Sequence, residues 1–174
     1  MIKEINFKYC PNCGKNFKPP VGNLLLCPSC GVHFYINPKA TTSVILENKN
    51  GEILFVVRKF DPQKGMLDFP GGFVDMDESL EQCSVREIQE ELGIVIDVED
   101  LTYLGSLPDD YNHGLILSRT INAYFKANIS DNIKIVPNDD VAGFEFIKPE
   151  AVDYGKMAFS GMKIFLKKYL EKRA

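Results

Sequence analysis

The segment 72–94 constrains this chain most, because acidic residues and glycines recur in it at fixed spacing. Glu87, Glu90 and Glu91 follow the helical i, i+3, i+4 pattern, which gathers their negative charges on one helix face. Like charges this close repel one another and destabilise an isolated helix. Oxygen ligands suit hard cations such as Mg2+ or Mn2+, so the spacing indicates a metal site, with a solvated acidic face as the alternative.

The flanking residues favour the metal site over a solvated face. The Pro-Gly-Gly sequence at 70–72 predicts a turn that brings backbone carbonyls close to the helix start, since glycine permits close approach. Gly93 stands where a helix C-terminus prefers glycine. A separate apolar stripe can anchor the helix on a core, and it consists of Val85, Ile88 and Leu92. The pattern therefore predicts a helix over 79–92 with one buried face and one metal-collecting face.

At every defined position the segment resembles the Nudix box, Gly-x5-Glu-x7-Arg-Glu-U-x-Glu-Glu-x-Gly-U, where U is apolar. The matching residues are Gly72, Glu78, Arg86, Glu87, Ile88, Glu90, Glu91, Gly93 and Ile94. The resemblance implies an α/β fold, namely a Nudix-type α/β/α sandwich with a mixed sheet, over residues 37–174. It also implies a pyrophosphohydrolase that uses Mg2+ or Mn2+ to cleave a diphosphate linkage.

The resemblance implies that the divalent metal is held by Glu87, Glu90 and Glu91, with the Gly72 carbonyl completing its shell. Carboxylate-bound metal ions neutralise phosphate charge and lower the pKa of a bound water. One of these glutamates, or an acid outside the box, would deprotonate or orient that water. The outside candidates are Asp139, Asp140 and Glu145.

Two further box residues complete the predicted catalytic set. Arg86 is expected to orient the glutamates by ion pairing, and direct substrate contact is the alternative. Glu78 stands at the helix start, where it can interact with the helix dipole or support the metal ligands.

Four of the five cysteines form two Cys-x2-Cys pairs, and they are Cys10, Cys13, Cys27 and Cys30. Each pair can place two thiolates on one tetrahedral ion, and a glycine after each pair lets the turn close. Two disulfides or a redox pair are the alternatives. A reducing compartment argues against disulfides, and a thioredoxin-type motif needs a βαβ context that this sequence lacks. We therefore predict a small ribbon with structural Zn2+ over residues 1–36, ahead of the domain at 37–174.

A zinc ribbon directly before a Nudix domain resembles the NADH pyrophosphatases. Those enzymes carry a Ser-Gln-Pro-Trp-Pro-Phe-Pro string after the box, whereas this chain keeps only a Ser and a Pro there and has no Trp. NADH, ADP-ribose, other nucleoside diphosphate derivatives and oxidised nucleotides all stay open as substrates. Candidate substrate contacts are Tyr111 and Phe159 for base stacking and Arg58 for the diphosphate.

The charge and hydropathy patterns exclude several functional classes. A net charge of −4 argues against a general nucleic-acid footprint. No apolar stretch suits a membrane span or a secretory signal, so a cytoplasmic location is expected. A homodimer to which the ribbon contributes is one option for assembly. The alternative to catalysis is a nucleotide-sensing module or a zinc-ribbon regulator that binds nucleic acid or protein, but the complete glutamate set favours catalysis.

Apolar alternation and turn signals predict the remaining elements. Strands at 41–47 and 53–59 flank an Asn-Gly hairpin signal. A helix is expected over 157–170, with basic residues near its end. Further strands are predicted at 66–69, 95–98, 101–106, 119–127 and 141–147.

Overall fold

The computed structural model describes residues 7–113 and 116–173, and the chain divides into two compact units after Pro38. In the first unit, strand β1 (Leu24–Leu26) pairs antiparallel with strand β2 (His33–Tyr35). The loop of this short hairpin carries the second cysteine pair, Cys27 and Cys30. The ribbon limits at 1–36 and the domain limits at 37–174 stay predictions.

A six-stranded mixed sheet forms the centre of the second unit. Its strands are β3 (Lys39–Glu47), β4 (Ile53–Arg58), β5 (Leu67–Asp68), β6 (Thr102–His113), β7 (Ile116–Asn128) and β8 (Val141–Ile147). The order is β5-β4-β3-β7-β6, and β8 pairs with β4. Strands β3 and β7 run parallel while the other pairs are antiparallel, so the sheet is mixed as predicted.

Strands β3 and β4 separate beyond their connected ends, and the segment 67–73 lies between them. Strand β5 pairs with β4, and the chain then turns to bond with β3. The carbonyls of Pro70 and Gly72 accept the N–H groups of Val44 and Thr42, each at 2.9 Å. The glycine turn is thereby fixed inside the sheet.

Two helices cover opposite faces of the sheet: α1 (Leu80–Leu92) and α2 (Ser160–Glu171). Side chains alternate across a strand, so Val44 faces one layer and Ile45 the other. One core cluster joins Val44 to Ile88 of α1, and the second joins Ile45 to Phe165 of α2. This layering confirms the predicted α/β class. In the described residues, neither helix is long and apolar enough to cross a membrane.

The predicted strand at 95–98 is wrong. Ile94 and Ile96 are buried while Val95 is exposed, which gives strand-like alternation, but this stretch pairs with no described strand. A single 3-10 turn, Val98–Asp100, follows instead. The alternation reflects two anchors on the α1 core, and without a neighbouring strand the backbone stays irregular.

Candidate active site and cysteine cluster

Arg86 is the centre of the charged network on α1. Its Nε and Nη2 donate to the two carboxylate oxygens of Glu78 at 3.0 and 2.6 Å, a two-pronged contact. Its Nη1 donates to Glu87 and Glu90, each at 2.9 Å, and Nη2 also donates to the Phe73 carbonyl at 3.1 Å. The Arg86 contact lowers the pKa of Glu78 to about 2. The planar guanidinium therefore fixes three carboxylates and the glycine loop together.

The sequence left two alternative roles open for both Glu78 and Arg86, and the structure shows which groups each side chain contacts. Glu78 precedes the helix, whose N-cap is Ser79, and its carboxylate faces Arg86 and accepts the N–H of Asp75 at 2.8 Å. Arg86 contacts three of the box glutamates directly.

Glu91 is the buried glutamate of the set. Its side chain accepts the N–H of Gly71 at 3.0 Å, and the residue is 7% exposed. Burial raises its pKa to about 9, with the nearby Glu87 charge adding to the effect. Burial also raises the pKa of Glu87, whereas Glu90 is half exposed. A buried carboxylate beside a second, partly buried carboxylate favours either a bound proton or a cation between them.

Gly72 lies against the carboxylate of Glu87, where a Cβ would come within 2.2 Å of Oε1. Its carbonyl already accepts the Thr42 N–H, which leaves one lone pair for another partner. The carbonyl oxygen of Gly72 and the carboxylate oxygens of the glutamates are the candidate ligand atoms at this point. They fit a hard divalent cation, which Glu87, Glu90, Glu91 and the Gly72 carbonyl would hold.

A cleft of about 360 Å3 joins these glutamates to an aromatic wall. Arg58, Tyr111 and Phe159, the predicted substrate contacts, all line it. The Tyr111 and Phe159 rings lie 5.8 Å apart, and the Arg58 guanidinium lies 5.1 Å from the centre of the Phe159 ring. Phe73 places its ring 5.3 Å from Tyr111. The cleft therefore has a carboxylate end and an aromatic end.

Two acids at the aromatic end were not found from the sequence. Asp68 pairs with Arg58 at 2.9 Å, and its pKa is raised to about 6 by burial. Asp109 accepts the N–H of Gly161 at 2.8 Å and the hydroxyl of Ser160 at 3.1 Å, which caps α2 from strand β6. This cap fixes the neighbouring Phe159 at the cleft. No local sequence pattern reports a contact between residues so far apart in the chain. Phe73, which also lines the cleft, could have been found from the sequence because it directly follows the glycine turn.

The three acids proposed outside the box differ in whether they line the cleft. Asp139 and Asp140 line the cleft, whereas Glu145 lies exposed on β8 and is not part of the cleft lining. Lys59 fixes their loop: its N–H donates to the Asp140 carbonyl at 2.8 Å and its Nζ to the Asp139 carbonyl at 3.0 Å. The structure therefore brings two of the three candidates to the carboxylate end.

The four paired cysteines come together in the first unit. The sulfurs of Cys10 and Cys30 are 3.7 Å apart, and those of Cys13 and Cys27 are 3.5 Å apart. A tetrahedral ion with bonds near 2.3 Å needs sulfurs about 3.8 Å apart, so the cluster fits Zn2+. Both pairs form the same turn, in which Gly14 and Gly31 adopt φ of +70° and +75°.

The thiols are free rather than bridged, in agreement with the choice of a metal over disulfides. A backbone hydrogen bond from Val32 lowers the pKa of Cys30 to about 6. At Cys13 a backbone hydrogen bond from Lys15 acts in the same direction, but burial and hydrogen bonds with the other three thiols raise the pKa to about 12. Among the described residues, this is the only acidic, His or Cys group with three or more ligand atoms all within 4.8 Å of one another. The three cleft glutamates are spread more widely.

Residues 37–169 match the NUDIX domain family. The chain is 33% identical over 134 residues to the NAD-capped RNA hydrolase NudC of Pseudomonas aeruginosa, covering 76% of this chain and 44% of that protein. It is 39% identical over 84 residues to the ADP-ribose pyrophosphatase of Methanocaldococcus jannaschii, covering 48% of this chain and 49% of that protein. The chain thus spans about half the length, or less, of these curated relatives.

Solved structures show the same architecture. A NUDIX hydrolase from Nitrosomonas europaea superposes with a TM-score of 0.71 at 26% identity, covering 95% of this chain and 92% of that chain. A MutT/nudix family protein from Enterococcus faecalis gives a TM-score of 0.67 at 21% identity, covering 80% and 64%. The second match shows the fold alone.

Proposed function

Because the chain belongs to the Nudix family, we propose that it hydrolyses the diphosphate linkage of a nucleoside diphosphate derivative. Mg2+ or Mn2+ would be held by Glu87, Glu90, Glu91 and the Gly72 carbonyl. The observation that carries this proposal is the Arg86 network, which aims carboxylates of this set at one end of a cleft. A regulator that only bound nucleotides would have no need of so complete a metal-binding set.

The protein side of the mechanism follows from burial and charge. The cation would neutralise phosphate oxygens and lower the pKa of a bound water. Arg86 holds Glu87 and Glu90 in fixed orientations, so little reorganisation is needed when substrate enters. Glu91 carries a proton at neutral pH unless a cation binds, so cation binding there releases a proton. Asp139 and Asp140 can accept a proton from water at the same end of the cleft.

The aromatic end supports a substrate with a nucleobase. The rings of Phe73, Tyr111 and Phe159 form a continuous wall, and Arg58 lies beside it. Base–aromatic stacking tolerates different bases, so this wall fits an NADH-like or ADP-ribose-like molecule. The names of the NudC and ADP-ribose pyrophosphatase relatives support the same substrate class.

The cysteine cluster supports a separate role for zinc. We propose that Cys10, Cys13, Cys27 and Cys30 bind one structural Zn2+ in a ribbon over residues 1–36. Four thiolates complete a tetrahedral shell and leave no position open for substrate. Zinc is therefore assigned to folding and the cleft cation to hydrolysis.

A substrate panel tests the proposed activity. Purified zinc-loaded protein with Mg2+ or Mn2+ should release a mononucleotide from NADH, ADP-ribose or a related diphosphate. Glu91→Gln should abolish this release, and Glu145→Gln, outside the cleft, should leave it unchanged. Absence of turnover on the whole panel would refute the proposal. Tight ADP-ribose binding without cleavage would instead identify a nucleotide sensor.

A further inference from the structure

The charge of this chain is divided unequally between its two units. Residues 5–46 contain no Asp or Glu, whereas residues 39–174 carry 23 of the 24 acidic residues and 16 of the 20 basic ones. The described part of the first unit has three exposed lysines, and they are Lys8, Lys15 and Lys18. The chain's net charge of −4 is therefore the sum of −7 on residues 39–174 and +3 on residues 1–38, so the two units have charges of opposite sign.

A bound zinc does not reverse that sign. Four thiolates and one Zn2+ together carry about two negative charges. The three lysines outnumber them, and with no carboxylate on residues 7–38 the exposed surface is basic or neutral. The second unit is acidic and would repel a polyanion, whereas the described residues of the first unit carry no net negative charge and would not.

The first unit also exposes aromatic rings at an unusual density. Phe7, Tyr9 and Tyr35 are 49%, 65% and 55% exposed. The second unit is much longer, yet its described residues expose only three large aromatic side chains, which are Phe60, Phe73 and Tyr103. Phe7 packs beside Phe34 at 5.6 Å, whereas neither tyrosine is engaged in a described aromatic pair. Tyr9 and Tyr35 thus offer exposed ring surface.

A small core explains only part of this surface. A unit of this size cannot bury every ring, so some exposure follows from geometry alone. Size does not explain why every charged side chain of residues 7–38 is basic. Exposed rings and exposed lysines on one small unit, with no competing carboxylate, are the combination that proteins use to bind single-stranded nucleic acid. A second protein would more often be met by apolar side chains at the centre of a patch and charges of both signs around it.

We propose that residues 7–38 bind single-stranded RNA, with Tyr9 and Tyr35 stacking on bases and the three lysines contacting phosphates. Strand binding itself is independent of the proposed hydrolysis.

Binding of an unmodified RNA oligonucleotide to the full zinc-loaded chain tests this proposal. Three phosphate contacts predict a slope of log affinity against log salt of about −2, since a single strand contributes about −0.7 per contact. Changing Lys8, Lys15 and Lys18 together to Gln, or to Glu, should weaken binding about tenfold or more at low salt. Tyr9→Ala and Tyr35→Ala should each weaken it roughly fivefold or more.

A matched variant separates a site from general charge. Changing Lys134, Lys148 and Lys168 to Glu alters the net charge equally on exposed positions of the second unit, and it should leave RNA affinity within about twofold. Every variant should retain one zinc and full turnover of ADP-ribose. Equal losses in both lysine sets, or no saturable RNA binding by the wild-type protein, would overturn the proposal. The ADP-ribose assay reports separately on the proposed hydrolysis.

Discussion

The two metal-binding groups differ in how the fold prepares their ligands. In the cysteine cluster, sulfurs 3.5 to 3.7 Å apart already have nearly the spacing that a tetrahedral zinc requires. In the cleft, Arg86 holds Glu87 and Glu90, while Glu91 is buried with a pKa raised to about 9. A closed thiolate shell can only stabilise a fold. An open carboxylate group, whose cation competes with a proton, can bind and release a reacting cation.

The largest expected effect concerns the closed group. Cys27→Ser should remove zinc and unfold the ribbon, because structural zinc contributes on the order of 10 kcal/mol to folding. Zinc content and the amide NMR spectrum measure this, and Mn2+ affinity of the cleft should not change. Cys83→Ser, at the buried cysteine of α1, should keep one zinc per chain. Full zinc retention by Cys27→Ser would contradict the difference between the groups.

The next effect separates two adjacent glycines of the open group. Gly71 adopts φ of +144°, and a Cβ there would lie 2.2 Å from the Thr42 carbonyl, so Gly71→Ala should destabilise the fold by about 3 kcal/mol. At Gly72 the Cβ would meet the Glu87 carboxylate instead. Gly72→Ala should therefore weaken Mn2+ binding roughly 10–100-fold with a smaller loss of stability.

Urea unfolding and Mn2+ titration of both variants measure the two effects separately. If Gly72→Ala bound Mn2+ as the wild type does, the Gly72–Glu87 contact would have no part in the metal site.

Arg86 offers a test of orientation. Arg86→Ala and Arg86→Lys should each weaken Mn2+ binding roughly 10–100-fold, since a lysine cannot reproduce the planar fork that contacts Glu78. Arg173→Ala is the control, because this arginine also pairs with a glutamate, Glu47 at 2.7 Å, but outside the cleft. It should lower stability without changing Mn2+ affinity. Wild-type affinity in Arg86→Lys would show that charge alone suffices.

The most gradual effect is a pH dependence, which amounts to at most about tenfold in Mn2+ affinity for each pH unit. Because the pKa of Glu91 in the folded protein is about 9, its proton must leave when a cation binds, so Mn2+ affinity should rise up to about tenfold per pH unit below pH 9. In the absence of metal, the free energy of unfolding changes with pH in the opposite direction. The folded state binds this proton more tightly than the unfolded chain, so stability falls as pH rises from about 4.5 through 9.

Calorimetric Mn2+ titrations and urea unfolding from pH 6 to 9 follow both trends. Glu91→Gln should flatten each of them, and an identical slope in that variant would assign the proton to another group.

Local signals predicted the elements and the charged group well, but they did not reveal contacts between distant residues. Helix α1 was predicted over 79–92 and forms over Leu80–Leu92, because the Ser79 cap and the Gly93 stop are local. The C-terminal helix was predicted from residue 157, but it begins at Ser160 since the N–H of Ala158 donates to Leu67 of β5. That bond joins residues far apart in sequence, and no periodicity reports it.

Strand β6 shows a different limit. The sequence predicted it over 101–106, whereas it spans Thr102–His113. Pro108 and the two aspartates that follow resemble a loop, but β6 lies at the sheet edge and pairs only with β7 in the described residues. A proline is tolerated on an edge strand. The longer strand is what brings Asp109 to cap α2 and Tyr111 to the cleft.

The most direct test of the difference between the two metal groups is a Mn2+ titration of zinc-loaded wild-type and Glu91→Gln protein at pH 8, with ADP-ribose turnover measured on the same samples. We predict that cation binding in the cleft requires the buried Glu91 and that zinc binding by the four cysteines does not. The variant should therefore lose cleft Mn2+ binding and turnover while it keeps one zinc and at least the wild-type Tm. Unchanged Mn2+ affinity together with retained turnover would contradict the assignment of the cleft glutamates as the catalytic metal site.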